Sequence, residues 1–239
     1  MLPMPRLAMG RGQQHVRHSG PLPRWESGPY RWGRGYLPFP QDASDGGRHM
    51  GRTVLSMSVS LDGFAAGPDV TAEQPMGKGG ERLHEWLFHG GEVDAAQARE
   101  RYATTGAVVI GKRTFDVGVG LWQDVPFPVP CFVVTREPRE PLTMNSGTFT
   151  FVSDGLHSTV SRARQAAGDR SVLIMGGPTT GQRFVKAGLV DEIVVQLVPV
   201  LLGAGVRLFD NLGTDHIELE RTAAVESPNV THLTFSVLT

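Results

Sequence analysis

The sequence predicts an α/β domain: a mixed, mostly parallel central sheet flanked by helices, with a C-terminal antiparallel β-hairpin. Three observations carry this prediction. The apolar runs AVVI (107–110), CFVV (131–134) and VLIM (172–175) read as short strands buried on both faces. Two of them pass through glycine directly into stretches with helical signals, at Gly111 and at Gly176-Gly177. Residues 216–238 alternate apolar and polar around Ser227-Pro228-Asn229, the pattern of a hairpin. Strands alternating with helices build a parallel sheet, and the closing hairpin makes it mixed.

Residues 1–49 stand outside this scheme. They hold eight Gly, seven Pro and seven Arg against three acids, and their five aromatic residues follow no strand or helix period. Such a segment buries too little apolar surface to offset the entropy of ordering it. It reads as a disordered Gly/Pro/Arg-rich extension, and the folded domain spans 50–239. Met50, at the head of that domain, is the expected native start; a native protein whose N-terminal sequence begins at Met1 would refute this. The competing reading is a basic arm for anionic partners such as DNA. It fails if deleting 1–49 leaves salt-dependent DNA retention unchanged.

The domain opens with a strand over Arg52–Ser60 (RTVLSMSVS). Asp62-Gly63 and Gly67-Pro68 are turn signals, so Asp62 either caps a turn or faces a cleft just past a strand end. Gly77–Gly80 is expected to be mobile. Helices are expected over Glu81–Phe88, where Leu83, Trp86 and Leu87 have helical spacing, and over Val93–Tyr102, ended by Gly106. The strand 107–110 turns at Gly111 into a helix beginning Lys112-Arg113-Thr114. A cation at an exposed helix N-terminus is unfavourable by ~0.3–1 kcal/mol. Two of them imply a bound anion, unless the turn is merely solvated.

Pro126, Pro128 and Pro130 make an extended connection to the strand Cys131–Thr135, with Arg136 at its end. The strand Thr148–Val152 leads to Ser153-Asp154, an N-cap signal, and to a helix over Leu156–Ala167 stopped by Gly168. After the strand 172–175, Pro178 suits a first helical turn, where its missing N–H costs nothing. Gly188 is a left-handed cap for that helix. Asp191–Val200 is a long strand whose end Pro199 demotes to an edge or bulge. Gly203 and Gly205 form a loop, and strands over His216–Val225 and Val230–Leu238 make the hairpin.

Net charge is −1 overall, about +4 in residues 1–49 and −5 in the remainder, so global charge gives no argument for a nucleic-acid or membrane partner. The lone Cys131 excludes an intrachain disulfide framework and a cysteine-based zinc site, and no metal site is expected. No apolar run reaches the ~18–20 residues of a membrane span, and no secretory h-region follows the N-terminus. A cytoplasmic enzyme is the expectation.

Function is written at three strand ends: Gly111-Lys112-Arg113-Thr114, Thr135-Arg136 and Gly176-Gly177-Pro178-Thr179-Thr180. Parallel sheets bind ligands beyond the carboxyl ends of their strands. If these strands are neighbours, Arg113 and Arg136 clamp one phosphate. The glycine pair with its helix N-terminus then holds a pyrophosphate. For the glycine pair alone, a tight turn with nothing bound is an equal alternative.

VVIGKRTFD, CFVVTRE and LIMGGPTT together resemble the dihydrofolate reductase superfamily. MSVSLDGFAAG and GLVDEIVVQLVPVLLGAGVRLF are similar to the C-terminal reductase domain of riboflavin-biosynthesis enzymes and its stand-alone relatives. The resemblance covers nearly all of 52–239. It implies an NADPH cofactor held by Gly111, Lys112, Arg113, Thr114, Thr135, Arg136, Gly176, Gly177, Thr179 and Thr180, with Ser153 at the neighbouring strand end. It also implies a homodimer. Met175 stands where the riboflavin reductases usually carry Glu before the glycine pair. Dihydrofolate reductases carry an acid on their first long helix; the candidates here are Glu85, Asp94 and Glu100.

The implied activity is hydride transfer from NADPH to a small heterocyclic or carbonyl substrate, pterin-like and pyrimidine-like compounds included. The alternatives are a riboflavin-pathway pyrimidine reductase and a non-catalytic NADP-binding protein. Hydride addition needs a proton source. Asp62 is the candidate for proton delivery or substrate binding, with Ser60 and Phe64 lining the pocket. Trp86 either stacks on the substrate or belongs to the core.

Overall fold

A computed structural model describes residues 51–238. The expected extension over 1–49 and the candidate start at Met50 lie outside the described residues. The chain runs β1 (Thr53–Ser60), β2 (Phe64–Ala66), a 3-10 helix (Gly80–His84), α1 (Glu85–His89), α2 (Glu92–Thr104), β3 (Thr105–Gly111) and α3 (Lys112–Trp122). It continues with β4 (Cys131–Val134), β5 (Leu142–Thr143), β6 (Thr148–Val152), α4 (Leu156–Ala167), β7 (Ser171–Gly176) and α5 (Pro178–Lys186). The last elements are β8 (Glu192–Val198), β9 (Val206–Arg207), β10 (Leu219–Glu226) and β11 (Thr231–Val237).

Among the described residues one nine-stranded sheet has the order β10-β11-β8-β1-β7-β3-β4-β6-β5. The strands from β8 through β6 are parallel. The hairpin β10-β11 at one edge and β5 at the other are antiparallel. This is the mixed, mostly parallel sheet with a terminal hairpin that the sequence predicts.

The apolar runs are buried on both faces because period-2 alternation feeds two cores. Leu55, Val109, Phe132, Ile174 and Ile193 point to the side covered by α4 and α5 through Val160, Ala163 and Phe184. Val108, Ile110, Val133, Phe149 and Leu173 point to the other side, packed by Phe115 of α3 and by Val125, Phe127 and Val129. Cys131 belongs to that second core, and burial pushes its thiol pKa up. Helix α5 ends as expected. Gly188 takes a φ of +65°, its N–H donates to Val185 O, and Leu189 N–H donates to Phe184 O.

Several local expectations are corrected. Gly106 lies inside β3 rather than ending a helix, and α2 runs to Thr104 and passes straight into that strand. A Cβ on Gly106 would lie 2.6 Å from Ala167 O, so close packing against the end of α4 explains this glycine. The expected helix over 81–88 is a 3-10 turn followed by short α1. Ser153-Asp154 does not cap α4. Gly155, with φ +107°, holds the cap position, and Asp154 instead accepts from Ser158 Oγ and Arg162 Nη2. β8 stops at Val198, one residue before Pro199.

Candidate functional site

Register alone brings the three turns to one rim. Gly111 pairs with Val134, Val134 with Val152, and Ile110 with Gly176. The residues that follow each strand therefore emerge side by side at the carboxyl edge of the sheet. The turns also interlock. A Cβ on Gly111 would sit 2.2 Å from Thr180 Oγ1, and one on Gly176 would sit 2.8 Å from Thr114 Cγ2. Gly177 would meet Thr114 Oγ1 at 3.1 Å. Each glycine thus makes room for a threonine from the other turn, so the packing reading of the pair holds whether or not a ligand approaches it. The Gly176–Gly177 peptide is cis.

Two cavities flank this rim. The larger, about 520 Å³, runs from Gly111–Thr114 and Gly176–Thr180 inward beneath the 3-10 helix, α1 and α2. The smaller, an open cleft of about 400 Å³, is formed by Lys112, Val134, Thr135, Arg136, Glu137, Thr180 and Arg183. Lys112 and Thr180 border both. One ligand lying across the rim reaches both spaces.

Three cations and one acid, Glu137, line the cleft. Lys112 is held by Asp116 one turn along α3, with Nζ–O distances of 2.5 and 2.6 Å. That contact offsets the cation's conflict with the helix N-terminus. Arg136 and Arg183 make no ion pair among the described residues and stand where an anion would meet them. The expected Arg113–Arg136 clamp is corrected. Arg113 faces the larger cavity and donates to Val70 O at 2.9 Å, fastening the 67–80 loop. Arg183, not Arg113, is the second arginine beside Arg136. Ser153 is exposed at the end of β6, next to Thr135 on the rim, and lines neither cavity.

The inner end of the larger cavity has a polar floor. β1 reads Leu55, Met57, Val59 on its core face and Ser56, Ser58, Ser60 on the opposite one. Ser58 lies beside Gln196 of β8, which lies beside His232 of β11. Gln196 Nε2 donates to Ser56 Oγ at 3.1 Å, and Trp86 Nε1 donates to Ser58 Oγ at 2.9 Å. Of the two places expected of Trp86, the structure puts it in the core, and its ring also lines the cavity. His84, Arg101 and Met175 complete this end. Burial pulls the His84 pKa from 6.5 to about 4, and its Nδ1 has no protein partner. Burial also lowers the Arg101 guanidinium, against the attraction of Glu192 and Glu100.

The structure does not bring Ser60, Asp62 and Phe64 to this cavity. Ser60 Oγ donates to Asp62 Oδ1 at 2.6 Å and accepts from Phe64 N–H at 2.9 Å. Asp62 also accepts from the backbone N–H groups of Leu202 and Gly203, at 3.1 and 2.7 Å. These bonds, Ser60's foremost, lower its pKa from 3.8 to about 2. Asp62 is a stably ionised acceptor that fastens the 201–205 loop to the end of β1, which is a poor proton donor. Phe64 is buried beneath the Arg207 guanidinium, 4.6 Å from its ring centroid.

Sequence reasoning missed Arg183, Arg101, Gln196 and His232. One signal was available. A central strand buried on both faces should be apolar throughout, and the serine face of VLSMSVS breaks that rule where the cavity lies.

The RibD C-terminal domain model matches residues 53–233. The uncharacterized protein YwjB of Bacillus subtilis is 29% identical over 163 residues, covering 67% of this chain and 84% of YwjB. The riboflavin biosynthesis protein RibD of Mycobacterium tuberculosis is 39% identical over 54 residues, covering 22% of this chain and 16% of RibD. Among solved structures, a Shewanella sp. PV-4 protein named for riboflavin biosynthesis superposes with a TM-score of 0.61 at 22% identity, covering 79% of this chain and 99% of that one. Enterococcus faecalis dihydrofolate reductase, solved with NADP(H), gives 0.51 at 12% identity, covering 80% and 98%. The fold is thus dihydrofolate reductase-like, and the chain belongs to the RibD C-terminal domain family.

Proposed function

We propose that this protein is an NADPH-dependent reductase of a small heterocyclic or carbonyl compound. The observation that carries the reading is the shared rim: a helix N-terminus and two glycine turns join a cation-lined cleft to a deep cavity with a polar floor. The family match and the likeness to an NADP(H)-bound dihydrofolate reductase support it.

Lys112, Thr135, Arg136 and Arg183 would hold the 2′-phosphate of the nucleotide. The first turn of α5, with Thr179 and Thr180, would face the pyrophosphate. The nicotinamide end would enter the larger cavity, where NADPH supplies a hydride. Trp86, Leu121, Phe127 and Met175 exclude water around the reacting atoms, and Ser56, Ser58 and Gln196 orient the substrate. Met175 gives this cavity an apolar side chain just before the glycine pair, which favours a substrate other than the ribosylamino-pyrimidine phosphate.

Calorimetry with NADPH and NADH tests the reading. NADPH is expected to bind at least tenfold more tightly. Arg136→Ala should weaken NADPH about tenfold, roughly 1.4 kcal/mol, and leave NADH unchanged. Equal affinities for the two nucleotides would overturn the proposal. Turnover is then sought by following NADPH oxidation with dihydrofolate, the ribosylamino-pyrimidine phosphate and simple ketones.

A further inference from the structure

Asp94 and His232 form a buried polar pair that no part of the cofactor scheme uses. Asp94 lies in the first turn of α2 and is 1% exposed; His232 lies on β11 and is 3% exposed. His232 Nε2 is 2.8 Å from Asp94 Oδ1. Asp94 Oδ2 is buried without a partner, tucked where a Cβ on Gly90 would come within 2.7 Å of it. The imidazole also lines the larger cavity and packs edge-to-face on Trp86, with ring centroids 5.0 Å apart.

A carboxylate can only accept, so Nε2 carries its proton toward Asp94. That fixes the ring's orientation and leaves Nδ1 as the nitrogen free to act in the cavity. A buried polar oxygen without a partner is costly, and Asp94, which does not itself line the cavity, meets it only through His232. We infer that His232 is the proton donor to the substrate and that Asp94 is its positioning residue. This assignment rests on the proposed reductase reading.

The step balances. As hydride from NADPH reaches the electrophilic carbon, the C=N or C=O π pair becomes a lone pair on nitrogen or oxygen. That atom takes the Nδ1 proton of the His232 imidazolium. Neutral imidazole and NADP⁺ remain, and solvent restores the proton. Other titratable groups facing the same cavity are His84 from the 3-10 helix, Arg101 and Tyr102 from α2, and Lys112 and Arg113 from the start of α3. The neighbouring strands contribute neutral side chains: Ser56 and Ser58 from β1, Gln196 from β8, and Val225 of β10 in register with His232.

The test uses the full chain and three readouts. Calorimetry with NADPH examines the nucleotide reading alone; His232→Gln and Asp94→Asn should bind within twofold of wild type. If wild type itself does not bind NADPH, the reductase reading fails and the assignment falls with it. With the fastest of dihydrofolate, the ribosylamino-pyrimidine phosphate and a simple ketone, His232→Gln should lower kcat at least 100-fold with KM within threefold. Isosteric Asp94→Asn, which preserves packing, should lower kcat about tenfold and displace the pH profile, which a merely structural pair would not do. Asp94→Asn with the wild-type profile overturns the assignment, as does His232→Gln keeping a third of kcat. Nitrogen-15 spectra of the histidine rings, taken with NADP⁺ and each probe, provide a readout independent of turnover. A shift at His232 Nδ1 is expected, and an unmoved signal with every probe overturns the assignment.

Discussion

Asp62 shows how one side chain's environment decides its role. Three donors saturate its oxygens, so it is a structural anion on a turn. Its folded-state pKa, about 2, lies below the ordinary 3.8. The stabilisation is therefore present above about pH 4 and is lost as pH falls through about 2. Thermal melts of wild type and Asp62→Asn should differ at pH 7, the variant melting lower, and converge near pH 2. Identical melts at pH 7 would show that the turn does not depend on the charge. Gly111 makes a second residue-level case. Its missing Cβ leaves room for Thr180 Oγ1 at 2.2 Å, so Gly111→Ala should cost about 1–3 kcal/mol in denaturant unfolding. Thr180→Ala in the same chain should recover part of that loss; no recovery would mean the strain lies elsewhere.

At the scale of elements, the strands and helices with strong periods were legible and the short or context-bound ones were not. AVVI, CFVV and VLIM announce strands buried on both faces, and Pro178 with Gly188 brackets α5. β2, β5 and β9 have two or three residues each, too few for any period to register. Gly106 read as a helix stop because its real reason, the end of α4 packed against it, is a contact distant in sequence. The glycine turns and Thr135-Arg136 were readable because strand ends carry ligands in parallel sheets. Arg183 was not, since one basic residue on an amphipathic helix looks like any solvated one. His232 and Gln196 were hidden more deeply. In an alternating hairpin or edge strand, polar positions read as facing water, and only the placement of α1 and α2 over that face turns them into a cavity floor.

At the scale of the whole molecule, the sheet order brings the three turns to one edge. Placing β7 between β1 and β3, and β4 beyond β3, aligns the glycine turns with Arg136. The same order carries β8 and β11 to the far side of β1, so the polar floor and its Asp94–His232 pair lie away from the cations of the smaller cleft. Under the proposed function, cofactor charge and substrate chemistry would be separated across the rim that the two cavities share, with hydride transfer between them. Loss of the cleft cations should thus change nucleotide preference, while changes on the floor should change turnover. The phosphorus-31 spectrum of NADP⁺ bound to the protein tests this arrangement most directly. The account predicts a 2′-phosphate signal displaced from its free position, returning toward it when Arg136 and Arg183 are both replaced by alanine. A 2′-phosphate signal that stays at its free position in the wild-type complex would contradict it.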